Sequence, residues 1–193
     1  MAIEIKRIAE TAGTEISKIQ ASIPDNEIEK LINKIEKANK IFVAGAGRSL
    51  LMLRAFALRL MHLGFDSYVV GDTITPAFEP GDVLVIGSAS GETGNLIEIA
   101  KKAKKIGGDL VVLSIFPEST LGKMADGFLR IPAYTDKLPE SKENKKNVLP
   151  GGSMFEISML VLLDSMIIPL GNIRMWLRIN ISIDTQILSR RFL

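Results

Sequence analysis

Three short segments of this chain carry the residue types that hold anions or move protons. The first is Gly45-Ala46-Gly47-Arg48-Ser49, which follows an apolar run and opens a helical pattern. Glycines there let the backbone approach a ligand, and the next helix offers its unpaired amides to an anion. The segment is neither a dinucleotide fingerprint, since Leu50 fills the third glycine position, nor a Walker loop, since no Gly-Lys-Ser/Thr follows. A tight turn with no ligand accounts for it equally well. The second segment is Gly87-Ser88-Ala89-Ser90-Gly91-Glu92-Thr93. Ser88, Ser90 and Thr93 put three hydroxyls beside free backbone N–H groups at a helix start. Neutral donors of this kind can surround a phosphate monoester without a metal. A helix cap would need one of them; three, flanked by glycines, favour a ligand.

The third segment, Pro150-Gly151-Gly152-Ser153-Met154-Phe155-Glu156, puts a carboxylate in the first turn of an apolar helix. Glu156 is either a charge complementing the helix dipole or a general base held against apolar neighbours. His62, the chain's one histidine, is similarly open: an acid–base group, or an imidazole packed at a subunit interface.

The elements that would position these groups alternate in type. Ile5, Ile8, Ile16, Ile19 and Ile23 recur near the helical period, and Asp25 can cap a second helix with its stripe at Ile28, Leu31, Ile32 and Ile35. Short apolar strands follow at Ile41–Ala44, Tyr68–Val70, Val83–Ile86, Leu110–Ser114 and Phe128–Ile131. Between them lie helical patterns from Arg48 to Leu63, Thr93 to Ile106 and Ser119 to Ala125. Strands alternating with helices at this spacing predict a parallel sheet covered on both faces. Ligands of such sheets sit outside the carboxyl ends of the strands, which puts the first two segments on one edge. Residues 132–153 form a long polar connection, predicted as a solvated loop. Met154 to Leu170 reads as a buried helix breaking at Pro169-Leu170-Gly171, because Glu156 and Asp164 suit a membrane span poorly.

Composition narrows the function classes. The chain has 193 residues, is 47% hydrophobic and 24% charged, and fits one domain with an ample core. Its net charge of +2 lacks the basic excess of a nucleic-acid binder. With no cysteine and one histidine, disulfides, thiolate chemistry and a multi-histidine metal site within one chain are excluded. The start is charged from the fourth residue, unlike a signal peptide, so a cytoplasmic protein with no membrane attachment is expected.

Together these segments resemble the SIS (sugar isomerase) domain family, in its 6-phospho-3-hexuloisomerase branch. The likeness runs from about Ile41 to Asp164, carried by the three segments above, by Val70-Gly71-Asp72-Thr73 and by Arg54-Ala55-Phe56-Ala57-Leu58-Arg59-Leu60-Met61-His62-Leu63-Gly64. It implies one SIS domain over residues 1–193: N-terminal helices to 38, a flavodoxin-like α/β three-layer core with a five-stranded parallel sheet at 41–170, and a divergent segment at 171–193. It also implies interconversion of 3-hexulose 6-phosphate and fructose 6-phosphate through an enediolate, no cofactor, and a homotetramer built as a dimer of dimers. By position, Ser49, Ser88, Ser90 and Thr93 would hold the phosphate with Gly47 and Gly91. Arg48 would face the sugar oxygens, and Glu156 would be the base. The chain departs from the pattern at Leu50, Ala89 and Gly151. Where the family has a histidine-bearing tail, it ends Leu188-Ser189-Arg190-Arg191-Phe192-Leu193, which leaves His62 as the catalytic imidazole candidate. Two other readings fit the same loops: another SIS isomerase, or a sugar-phosphate sensor without turnover.

Overall fold

The structure is a computed structural model that describes residues 1–142 and 144–190, with side chains described as far as Arg174. Residues 191–193, the end of the divergent tail, lie outside the described residues. Eleven elements follow in order: α1 (Ala2–Ser22), α2 (Asp25–Lys37), β1 (Ile41–Gly45), α3 (Arg48–His62), β2 (Ser67–Val69), β3 (Val83–Gly87), α4 (Gly94–Ile106), β4 (Asp109–Ser114), α5 (Thr120–Met124), β5 (Gly127–Arg130) and α6 (Ser153–Arg190).

The five strands form one parallel sheet in the order β2-β1-β3-β4-β5. Their side chains alternate between two cores, as a pleated strand requires. Ile41, Val43, Val83, Val85, Val111 and Leu113 face α1, α2, α3 and α6, whereas Phe42, Ala44, Leu84, Ile86, Leu110 and Val112 face α4 and α5. Helices therefore cover both faces, which is why the strands read as continuous apolar runs. The strand order reverses between β1 and β3. That is the switch point where open α/β sheets leave a crevice, and Gly45 and Gly87 stand there in register.

Two sequence expectations are corrected. Asp25 is the first residue of α2 and makes no side-chain cap; Pro24 precedes it in extended conformation. The second correction concerns α6, which runs through Pro169 instead of breaking there. A proline removes one intrahelical hydrogen bond, but Leu170 is fully buried and Gly171 lies against Leu63. Packing on the end of α3 holds the helix line across the missing bond, and Arg174 continues it by stacking 3.9 Å over the Phe65 ring. Residues Ser153–Arg174 are long and apolar enough to cross a membrane by length and composition alone. Met154, Phe155, Met159, Leu162, Leu163, Met166 and Leu170 are nonetheless buried in the core they share with α1 and α3, the arrangement of a core helix.

Candidate functional site

Three parts of the chain converge outside β1 and β3 around a cleft of about 280 Å³. The β1–α3 turn supplies Ala46, Gly47, Arg48 and Ser49, and the β3–α4 turn supplies Gly87, Ser88, Ala89 and Thr93. The rest of the lining is Thr135, Asp136 and Lys137 from the connection after β5, with Gly152 and Glu156 from the start of α6. Gly47 has φ +56° and ψ −132°, outside the left-handed helical region and sparsely populated by other residues at a cost of about 1–3 kcal/mol, and a Cβ there would meet nothing within 4 Å. Backbone geometry, rather than crowding, accounts for glycine at this position. The turn lets α3 begin at Arg48 with its amides toward the cleft and no side-chain cap.

The hydroxyls of the second turn divide into two roles. Thr93 is the N-cap residue of α4 yet makes no side-chain cap. Its Oγ1 lies 3.3 Å from Ser88 Oγ instead, so both hydroxyls face the cleft as a pair. The third, Ser90, is buried behind that pair, and its Oγ accepts from the Glu92 N–H at 3.3 Å. A residue bonding its own turn is shaping the loop. Gly91 is likewise behind the lining. Its N–H donates to Ser88 Oγ at 3.2 Å and its carbonyl accepts from the Leu121 N–H at 3.1 Å. Glu92 anchors the turn to α5 by accepting from both the N–H and the Oγ1 of Thr120 at 2.7 Å. Those hydrogen bonds, the backbone one foremost, hold its carboxyl below the usual carboxylate range.

Glu156 is mostly buried, with its side chain 12% exposed. Its Oε2 accepts from Arg48 Nε across the cleft, while Oε1 receives no hydrogen bond among the described residues. One oxygen is thus oriented by a guanidinium and the other is left open to the cleft. Of the two readings of His62, its position bears on the acid–base one. His62 ends α3, fourteen residues from Arg48 and so about 21 Å along the helix axis, exposed to solvent. It cannot touch a molecule held in this chain's own cleft. Thr135, Asp136 and Lys137 were missed in the sequence, where the polar connection reads as a solvated loop. The one available signal was its length, since loops that long are often functional.

Known proteins resemble this chain over most of its length. The family model described as SIS domain matches residues 34–142. A 3-hexulose-6-phosphate isomerase of Bacillus subtilis (strain 168) is 42% identical over 156 residues, covering 81% of this chain and 83% of that protein. A Methanocaldococcus jannaschii protein of the same name is 42% identical over 142 residues, covering 74% and 73%. Among solved structures, a hypothetical protein from Methanococcus jannaschii, described as inferring a 3-hexulose-6-phosphate isomerase function, superposes with a TM-score of 0.68 at 34% identity, over 87% of this chain and 89% of that one.

Proposed function

The chain belongs to the SIS domain family, and from that membership and its cleft we infer that it is an isomerase interconverting 3-hexulose 6-phosphate and fructose 6-phosphate. The observation that carries the reading is a carboxylate with a free oxygen in the same cleft as a cradle of hydroxyls and backbone amides. Relatives named for this reaction at 42% identity support the substrate. In the proposed mechanism Ser49, Ser88 and Thr93 bind the phosphate with the amides of the α3 start. Glu156 takes the proton from carbon 2 of the 3-hexulose, giving an enediolate across carbons 2 and 3. It returns that proton to carbon 3 while the hydroxyl proton on oxygen 2 passes to oxygen 3, so the carbonyl moves to carbon 2 with no change in composition. Arg48 holds Glu156 in place and faces the sugar oxygens. Formation of fructose 6-phosphate, read through a coupled assay, tests the reaction. Turnover of an aldose phosphate instead would assign another SIS isomerase, and binding without turnover would assign a sensor.

The phosphate requirement has its own test. Fructose 6-phosphate should raise the melting temperature while fructose does not, by binding linkage. Thr93→Val should weaken that shift, since losing a hydrogen bond to a charged group costs about 1.5–3 kcal/mol. Equal shifts from both sugars would remove the phosphate site.

The proposal extends to a cytoplasmic homotetramer built as a dimer of dimers. Leu51, Leu58 and Met61 on α3 and Val161 and Ile168 on α6 are exposed on two helices that pack together, and Ile168 is 70% exposed. His62 lies beside Met61 on this surface, which favours its interface reading. Monomers rarely leave such patches uncovered. Light scattering at low micromolar concentration should give a multiple of 21.1 kDa, and Leu58→Glu should lower it. A monomeric mass for the unmodified chain would contradict the assembly.

A further inference from the structure

The part of the cleft lining that comes from the connection after β5 is held together by one buried side chain that lies outside the cleft. Asn144 is 1% exposed. Its Oδ1 accepts from the Thr135 N–H at 2.8 Å, and its Nδ2 donates to the carbonyls of Thr135 at 2.9 Å and of Leu138 and Pro139 at 3.0 Å. Its own N–H donates to Ser141 Oγ at 3.1 Å. An amide is suited to this, because it accepts on one atom and carries on the other two hydrogens, which the three carbonyls share. The chain from Thr135 to Pro139 is thereby folded around Asn144, and Thr135 Oγ1 adds a bond by accepting from the Lys137 N–H at 3.3 Å. The result is that Lys137 lines the cleft.

The charge balance of the cleft gives Lys137 its meaning. The hydroxyls and amides around Ser88 and Thr93 are neutral, and Arg48 is engaged by Glu156. Asp136 and Lys137 line the same cleft, and among the described residues no salt bridge joins Lys137 to Asp136 or to any other carboxylate, so its ammonium is left to meet an anion. A phosphate monoester carries close to two negative charges at neutral pH. We propose that Asn144 is a positioning residue which, by pinning Thr135–Pro139, holds the Lys137 ammonium at the cleft to meet the substrate's phosphate. This rests on the function inferred above and adds to it a charge and the device that sets it.

Calorimetric titration with fructose 6-phosphate and with inorganic phosphate tests the pair. Lys137→Gln should raise both Kd values about tenfold and flatten their dependence on salt. Asn144→Ala should raise them similarly, and the double variant should lie within about twofold of Lys137→Gln alone, because the second change acts through the first. Multiplying effects in the double variant would make Asn144 a general scaffold and overturn the positioning role. If Asn144→Ala gives no cooperative melting, Thr135→Val replaces it. That change removes only the hydroxyl that fixes the Lys137 N–H, and its effect should vanish in the Lys137→Gln background. Binding to Lys137→Gln within twofold of the unmodified chain overturns the proposal. Absence of turnover with Lys137-dependent phosphate binding intact counts against the inferred reaction and leaves the positioning role standing.

Discussion

Replacing Glu156 by Gln should cut the rate of isomerisation by about 10²–10⁴-fold, the usual contribution of a positioned acid–base group. Binding of fructose 6-phosphate should change by no more than about threefold. The amide keeps the shape of the carboxylate, and its oxygen can still accept from Arg48 Nε. What it loses is the capacity to take a proton onto the free oxygen. A fall in kcat and kcat/KM together, with Kd preserved, is the signature of a group acting in the transition state. Full activity in Glu156→Gln would remove the proposed base, and a large loss of binding would make Glu156 a substrate contact instead.

Gly91→Ala should have the largest effect on stability and should take the cleft with it. The position has φ +68°, which alone costs a side chain about 1–2 kcal/mol. A Cβ would also come 2.0 Å from Ser119 Oγ and 2.5 Å from Ser119 Cβ. Ser119 cannot retreat freely, because its Oγ caps α5 by accepting from the Gly122 N–H. A loss of about 3 kcal/mol follows from strain and overpacking together. For a chain of this length it lowers the melting temperature by roughly 6–12 °C. The thermal shift with fructose 6-phosphate should disappear in the same variant, since Ser88 loses its partner in the turn. Gly94→Ala is the matched control: φ is not positive there, nothing lies within 4 Å of the new methyl, and the expected effect is near zero. Equal melting temperatures for Gly91→Ala and Gly94→Ala would show that the turn relaxes around the added carbon.

The sheet and its site edge were legible in the sequence because burial on both faces leaves runs such as Ile41-Phe42-Val43-Ala44 and Val83-Leu84-Val85-Ile86, each stopped by glycine. Strand boundaries fell within a residue or so of those predicted. The meeting of the two turns followed from topology alone, since parallel strands end on one edge. Orientation was a different matter. Ser90 and Thr93 are both hydroxyl residues at a helix start, and only three-dimensional structure shows Ser90 bonding Glu92 while Thr93 turns to Ser88. The chemistry of His62 left an acid–base and an interface role open, and its place along α3 depends on helix length, which puts it at the far end. Pro169 misled for a related reason: local propensity favours a break, and the burial of Leu170 overrides it. The cleft wall at Thr135–Lys137 was hidden most completely, because its order comes from Asn144, a residue that hydrophobic patterning cannot flag.

The packing of α6 on α1 has a consequence for how the chain is made. Gln20 Nε2 donates to the Ser158 carbonyl at 2.8 Å across 138 positions of sequence, and Ala12 shares the core with Met159. At translation speeds of about 5–20 residues per second, α1 waits roughly 7–30 s on the ribosome for that partner. During this interval its apolar stripe, Ala12, Ile16, Ile19 and Ile23, is left without α6. The sheet from β1 to β5 can assemble on the nascent chain, whereas docking of α6 must come last. Glu156 rides on α6, so the proposed base reaches the hydroxyl cradle only at that closing step. The chain's order of synthesis thus keeps the cleft without its base until the two ends of the fold have met.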